Sequence, residues 1–84
     1  MTFTIYWSER AIEQMNKLER QIRKRIYKKV ELISTNPFDY VIKLKGLDLY
    51  RLRVGDYRVI LSIVKNKMTI FVIEVGHRRN IYEN

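Results

Sequence analysis

The sequence contains no cysteine and a single histidine among its 84 residues. Without thiols there is neither a disulfide framework nor a thiolate nucleophile, and with His77 as the lone imidazole no common zinc-ligand cluster can be built. Metal-hydrolase chemistry is therefore disfavoured, and neither a metal nor a cofactor is expected. Long apolar runs are missing as well, so no stretch reaches membrane-spanning length. The opening Met1-Thr2-Phe3-Thr4-Ile5-Tyr6-Trp7 alternates polar and apolar residues and lacks the basic start and apolar core of a signal peptide. These absences point to a cytoplasmic, reducing setting with no membrane partner. Acidic residues are also scarce: nine face seventeen Lys and Arg, for a formal net charge of +8. A field of that sign attracts polyanions, which makes nucleic acid the leading partner class and an acidic protein the next.

What is present is the balance of a folded chain, 46% hydrophobic against 31% charged. At this length it should form one domain over residues 1–84, with one core. Phe3, Ile5 and Trp7 recur at a spacing of two, which predicts a first strand over Thr2 to Trp7. Ser8 supplies an N-cap oxygen and Glu9 places negative charge in the first turn of a helix running to about Leu18, with Ala11, Met15 and Leu18 on one side. A second stripe, Ile22, Ile26, Val30 and Ile33, predicts a helix from Glu19 to Ile33. No glycine or proline separates the two, yet both stripes must reach one core, so the chain should reverse near Leu18 to Arg20. The basic residues of the second helix, Arg23, Lys24, Arg25, Lys28 and Lys29, read as a solvated face, with a dedicated RNA surface as the alternative. Asn36-Pro37 stops it.

Phe38 to Leu49 reads as a connection. Three runs rich in Val, Ile and Tyr follow, Leu49 to Val54, Tyr57 to Val64 and Met68 to Val75, and their spacing predicts consecutive antiparallel strands. The expected fold is α+β, in the order β-α-α-β-β-β, with both helices on one face of a small, mainly antiparallel sheet.

Gly55-Asp56 is a two-residue loop with glycine first, the composition of a type II′ hairpin. It predicts that Val54 faces Tyr57, Arg53 faces Arg58, Leu52 faces Val59 and Arg51 faces Ile60. Tyr50, Leu52, Val54, Tyr57, Val59, Leu61 and Ile63 then make the core side, and Arg51, Arg53 and Arg58 share the other. Like charges directly across a sheet oppose one another, so three retained together point to a ligand, and planar guanidinium groups match phosphate oxygens. An acidic neighbour is the competing explanation. A three-residue loop Lys65-Asn66-Lys67 sets Glu74 opposite Arg58, whereas a two-residue loop Asn66-Lys67 turns Glu74 into the core. Burial favours the first. After the last strand, Val75-Gly76-His77-Arg78-Arg79-Asn80-Ile81-Tyr82 should begin beside the arginines and bring an imidazole, two guanidinium groups and a phenol near them.

Lys43-Leu44-Lys45-Gly46, Tyr50-Arg51-Leu52-Arg53-Val54-Gly55-Asp56-Tyr57-Arg58 and Val75-Gly76-His77-Arg78-Arg79-Asn80-Ile81-Tyr82 resemble the signature segments of the RelE/ParE toxin superfamily. The resemblance covers nearly the whole chain, including the order of its elements. It implies a RelE-like fold and a toxin held inactive by a RelB-like antitoxin in a hetero-oligomer. Released, such a toxin enters the ribosomal A site and cuts messenger RNA by attack of a ribose 2′-oxygen, leaving a 2′,3′-cyclic phosphate. In the RelE branch the catalytic roles fall on positions that match Arg51, Arg53, Arg58, Arg78 and Tyr82. RelE has lysines where this chain has Arg51 and Arg53, and arginine keeps its proton where lysine can lose it. The three strand arginines then suit charge stabilisation. His77 is the candidate acid or base, in competition with Arg78, the position given that role in relatives. Tyr82 can stack on a base, and Lys43, Lys45 and Arg79 complete the expected RNA-binding set. The alternatives are a ParE-like toxin that inhibits DNA gyrase, and a module that binds RNA or antitoxin without cutting.

Overall fold

The computed structural model describes residues 1–77. The chain runs β1 (Thr4–Trp7), α1 (Glu9–Asn16), α2 (Arg20–Ile33), β2 (Ile42–Lys43), β3 (Tyr50–Val54), β4 (Tyr57–Val64) and β5 (Thr69–His77), with 3-10 turns at Pro37–Asp39 and Lys65–Lys67. The strands form one sheet in the order β1-β5-β4-β3-β2, antiparallel except where β1 lies parallel to β5. This is the expected α+β arrangement with one addition. Ile42 and Lys43, read from the sequence as part of a connection, pair with Arg51 and Tyr50 as a short edge strand.

The helices form where their caps and stripes placed them. The Ser8 hydroxyl oxygen accepts a 3.0 Å hydrogen bond from the Ala11 N–H, which satisfies one of the open donors at the start of α1. The reversal falls at Lys17 to Glu19, where the Arg23 guanidinium donates to the Leu18 carbonyl and so ties α2 to the end of α1. Ala11 and Met15 from α1 and Ile26, Val30 and Ile33 from α2 pack with Leu52, Val54, Val59, Leu61, Ile70, Val72 and Val75 in one core. Both helices therefore cover the same face of the sheet.

The last strand departs from its expected register, and the departure has a compact cause. Val64 pairs with Thr69, so four residues, Lys65 to Met68, connect β4 to β5, and Met68 closes the turn in the left-handed region at φ 48°. Higher up, Ile60 pairs with Glu74 but Leu61 with Val72, which leaves Ile73 as an extra residue in a β-bulge. Carried on without interruption, the lower phase, in which Ile70 and Val72 face the core, would send Glu74 inward. The bulge reverses that phase, so Val75 enters the core at 1% exposure and Glu74 stays outside.

Candidate nucleic-acid interface

The hairpin between β3 and β4 sets the site. Gly55 has φ +59° and Asp56 is not in the positive-φ region, the pattern of a turn that needs the left-handed conformation at its first position only. The resulting pairs are Val54 with Tyr57, Arg53 with Arg58, Leu52 with Val59 and Arg51 with Ile60, as the loop length predicts. Residues that oppose each other share a side, so Arg51, Arg53 and Arg58 leave the sheet together on the face away from the helices. Arg58 is 8% exposed, whereas Arg53 is exposed and Arg51 half-buried. The cluster thus has a buried guanidinium as its floor and two more accessible ones toward its rim. On the other flank, Arg58 lies opposite Gly76, a partner without a side chain.

Below the arginines the same face turns apolar. Leu44 and Ile60 are buried at 4% and 5% exposure and pack with Leu49 in a small second cluster. A tight turn makes this possible: the Leu47 N–H donates to the Leu44 carbonyl, and Gly46 sits at φ +77° in its third position, where a type II turn requires positive φ. The turn brings the Leu44 side chain against Ile60. Lys43, in contrast, opposes Tyr50 and so leaves on the helix side, away from the arginines.

Two expected neighbours are elsewhere. Glu74 shares the arginines' face but opposes Ile60 and not Arg58, and its carboxylate pairs with Arg10 of α1 at 3.3 Å. The bulge and the longer loop move it two residues from its expected partner. They also draw His77 into the strand, opposite Tyr57, with the two rings edge to face at 5.4 Å. Tyr57 lies on the core side, so the register puts His77 and Arg58 on opposite faces of the sheet. The expected gathering of the imidazole with the arginines is thereby corrected. Arg78, Arg79 and Tyr82 lie outside the described residues.

The sequence reading missed the Leu44-Ile60 cluster, Gly76 as the partner of Arg58, and a groove of about 480 Å³ beside the site. Arg25, Lys28, Lys29 and Leu32 of α2 form one wall of that groove and Arg53 belongs to the other. The wall was visible as a spacing of three, four and seven, one face of a helix, but nothing local showed what that face meets. Among the described residues no group of three or more His, Cys, Asp or Glu could hold a metal ion, and no helix is long and apolar enough to cross a membrane.

Comparison with known proteins places this geometry among relatives. The family model described as the ParE toxin of the type II toxin-antitoxin system parDE matches residues 5–82. The mRNA interferase toxin RelE of Escherichia coli is 32% identical over 81 residues, covering 93% of this chain and 85% of that protein. The archaeal RelE-RelB complex from Pyrococcus horikoshii superposes with a TM-score of 0.82 at 27% identity, over 96% of this chain and all of that one. The RelBE2 toxin-antitoxin complex from Mycobacterium tuberculosis gives a TM-score of 0.83 over 95% of both chains. At 19% identity that last likeness speaks for the fold alone.

Proposed function

Since the chain belongs to the ParE toxin family of type II toxin-antitoxin systems, with RelE among its relatives, we propose that it is a RelE-like endoribonuclease that cuts messenger RNA in the ribosomal A site. The observation that carries this reading is the direct cross-strand pair of Arg53 and Arg58, with Arg51 on the same face. Guanidinium groups set side by side on one face offer several parallel N–H donors to a single anion, and a phosphodiester matches that donor set.

In the proposed reaction the ribose 2′-oxygen attacks the adjacent phosphorus and gives up its proton to water or to a group of the ribosome. The bond from phosphorus to the 5′-oxygen breaks, and the products are a 2′,3′-cyclic phosphate and a 5′-hydroxyl. Charge builds on the non-bridging oxygens as the phosphorane forms. Arg58 acts there from low-dielectric surroundings, in which a fixed charge is worth more than at an exposed site, and Arg51 and Arg53 hold the phosphate from the rim. No metal is needed for these steps. With His77 on the other face from Arg58, the group beside the leaving 5′-oxygen is assigned to Arg78. A guanidinium keeps its proton, so Arg78 acts by donating a hydrogen bond to the developing alkoxide, and the proton itself comes from solvent or the ribosome. Tyr82 stacks on a base, and Lys45 and Arg79 extend the contact to the RNA backbone. A RelB-like antitoxin holds the protein inactive in a cytoplasmic hetero-oligomer, as the complexes of its relatives support.

The test is induction of the chain in cells followed by mapping of messenger 5′ ends, with purified ribosomes and a defined message in parallel. Cuts within codons of translated messages, dependent on ribosomes in vitro, are the expected result. The family model's own name raises the other reading, and intact messages with trapped gyrase would establish it.

A further inference from the structure

The strand arginines stabilise charge but keep their protons, so the proton of the attacking 2′-hydroxyl has to pass to another group. Water or the ribosome can receive it, yet the sheet also carries an acceptor of its own. Row by row from the hairpin, the face away from the helices presents Arg53, Arg58 and Gly76, then Arg51, Ile60 and Glu74. Among the described strand residues on that face, Glu74 is the only carboxylate. It stands two residues before Gly76, the partner of Arg58, and is therefore diagonal to Arg58 across adjacent strands. Such neighbours lie roughly 7–8 Å apart, a gap that long side chains span. Ile60, opposite Glu74, is apolar and offers no competing acceptor.

Two features set this carboxylate apart from an ordinary surface residue. The first is the bulge at Ile73. Without it the phase of Ile70 and Val72 would send Glu74 inward, and with it the carboxylate joins the arginines, which is how a bulge re-aims a side chain beside an active site. The second is that β5 does not need Glu74 for its hold on α1. The Ile73 carbonyl and the Val75 N–H on either side are already bonded to Ser8 and Gln14. The pair that Glu74 makes with Arg10 joins side chains that are 27% and 68% exposed, and exposed ion pairs add little to stability. A carboxylate here also repels the phosphates that the arginines attract. Proton transfer is what it can supply in return and what an arginine cannot.

We propose that Glu74 is the general base of the cleavage, an assignment that rests on the nuclease reading. With the scissile phosphate held at Arg58, the 2′-hydroxyl on its upstream side donates to a Glu74 carboxylate oxygen. As the bond from the 2′-oxygen to phosphorus forms, the proton passes to that carboxylate oxygen. The bond from phosphorus to the 5′-oxygen breaks, and the 5′-oxygen takes its proton from solvent or the ribosome. Glu74 then releases its own proton to water before the next turnover.

The test is single-turnover cleavage of a defined message on purified ribosomes by the full chain and by Glu74→Gln, Glu74→Asp and Arg10→Ala, with urea unfolding of each. Glu74→Gln keeps the shape and removes the base, so it should cut about a hundredfold or more slowly, with message bound equally or more tightly. Glu74→Asp should recover part of the rate. Arg10→Ala leaves the carboxylate in place and should stay within about threefold of the parent, and all three should unfold close to its urea midpoint. A second message carries sulfur in place of the scissile 5′-oxygen. Sulfur leaves without a proton, which repairs a defect at the leaving group and not one at the nucleophile, so Glu74→Gln should lag on it by the same factor. Cleavage by Glu74→Gln at or above the parent rate, an equal loss in Arg10→Ala, or recovery of Glu74→Gln by sulfur overturns the assignment. If the parent chain cuts no message with ribosomes present, the nuclease reading fails and the assignment with it, whereas a parent and a Glu74→Gln that cut alike fail Glu74 alone.

Discussion

The two sides of the sheet solve the same problem in opposite ways. Each has a strand that outruns its edge partner and so exposes main-chain donors and acceptors. On the β5 side, β1 stops at Val72, and α1 takes over: the Ser8 hydroxyl donates to the Ile73 carbonyl at 2.8 Å, and the Gln14 amide oxygen accepts from the Val75 N–H at 2.7 Å. On the β3 side, β2 stops at Arg51 and α2 stands off across a groove. One edge is sealed by side chains of its neighbouring helix. The other is bordered by cations and, among the described residues, left open. The contrast teaches that an unpaired edge here is not a limitation of a small fold, since the chain closes one with two polar side chains.

If the difference is one of purpose, the sealed edge should answer to stability and the open side to function. The largest expected effect is on the open side. Arg58→Ala should lower single-turnover cleavage of ribosome-bound message about a hundredfold or more, roughly 3 kcal/mol, with ribosome binding little changed. Arg58→Lys should recover only part of this, because a point charge cannot make the bidentate contact. A wild-type rate in Arg58→Ala would remove the phosphate role. Next comes the seal itself. Gln14→Leu leaves the Val75 N–H without its acceptor and should cost on the order of 1–3 kcal/mol in urea unfolding, with cleavage per folded molecule unchanged. Unchanged stability would mean that water replaces the amide there.

Ser8→Ala should cost about 1 kcal/mol, since the hydroxyl both caps α1 and reaches Ile73, and amide exchange at Ala11 should rise. The smallest effect is expected from Leu32→Asp. An exposed position changes stability by less than about 0.5 kcal/mol, and urea unfolding should show no more. A large drop in melting temperature would show that Leu32 belongs to the core and not to the groove.

How much of this the sequence disclosed depended on how local the determinant was. The β3-β4 register followed from two loop residues, Gly55 and Asp56, because a two-residue turn admits one pairing, and with it came the shared face of Arg51, Arg53 and Arg58. Ser8 and the two apolar stripes gave the helices for the same reason. β5 was different. Its phase is set by the bulge at Ile73, and the bulge answers to the core's demand for Val75 and to the reach of Ser8 and Gln14, residues about sixty positions away. No window around Ile73 contains that information. The misplacement of Glu74 and of His77 descends from it together with the four-residue connection Lys65 to Met68. β2 escaped notice because two residues cannot show an alternation, and the groove because it exists only between elements.

The parallel pairing of β1 with β5 carries a kinetic consequence. It joins Thr4 to Thr69 and Trp7 to Val72, nearly the two ends of the described chain, whereas β3, β4 and β5 follow one another through short loops. Closing the long loop costs entropy that no local contact returns, so consecutive hairpins should form early and the first strand should dock late. During synthesis the order is the same by necessity, since Thr4 to Trp7 emerge first and wait for the last strand to be made. Until β5 has been made, Ile5 and Trp7 have no strand to pair with. Substitutions in β1 should therefore act mainly on the unfolding rate, and those in the β3-β4 hairpin on the rate of folding.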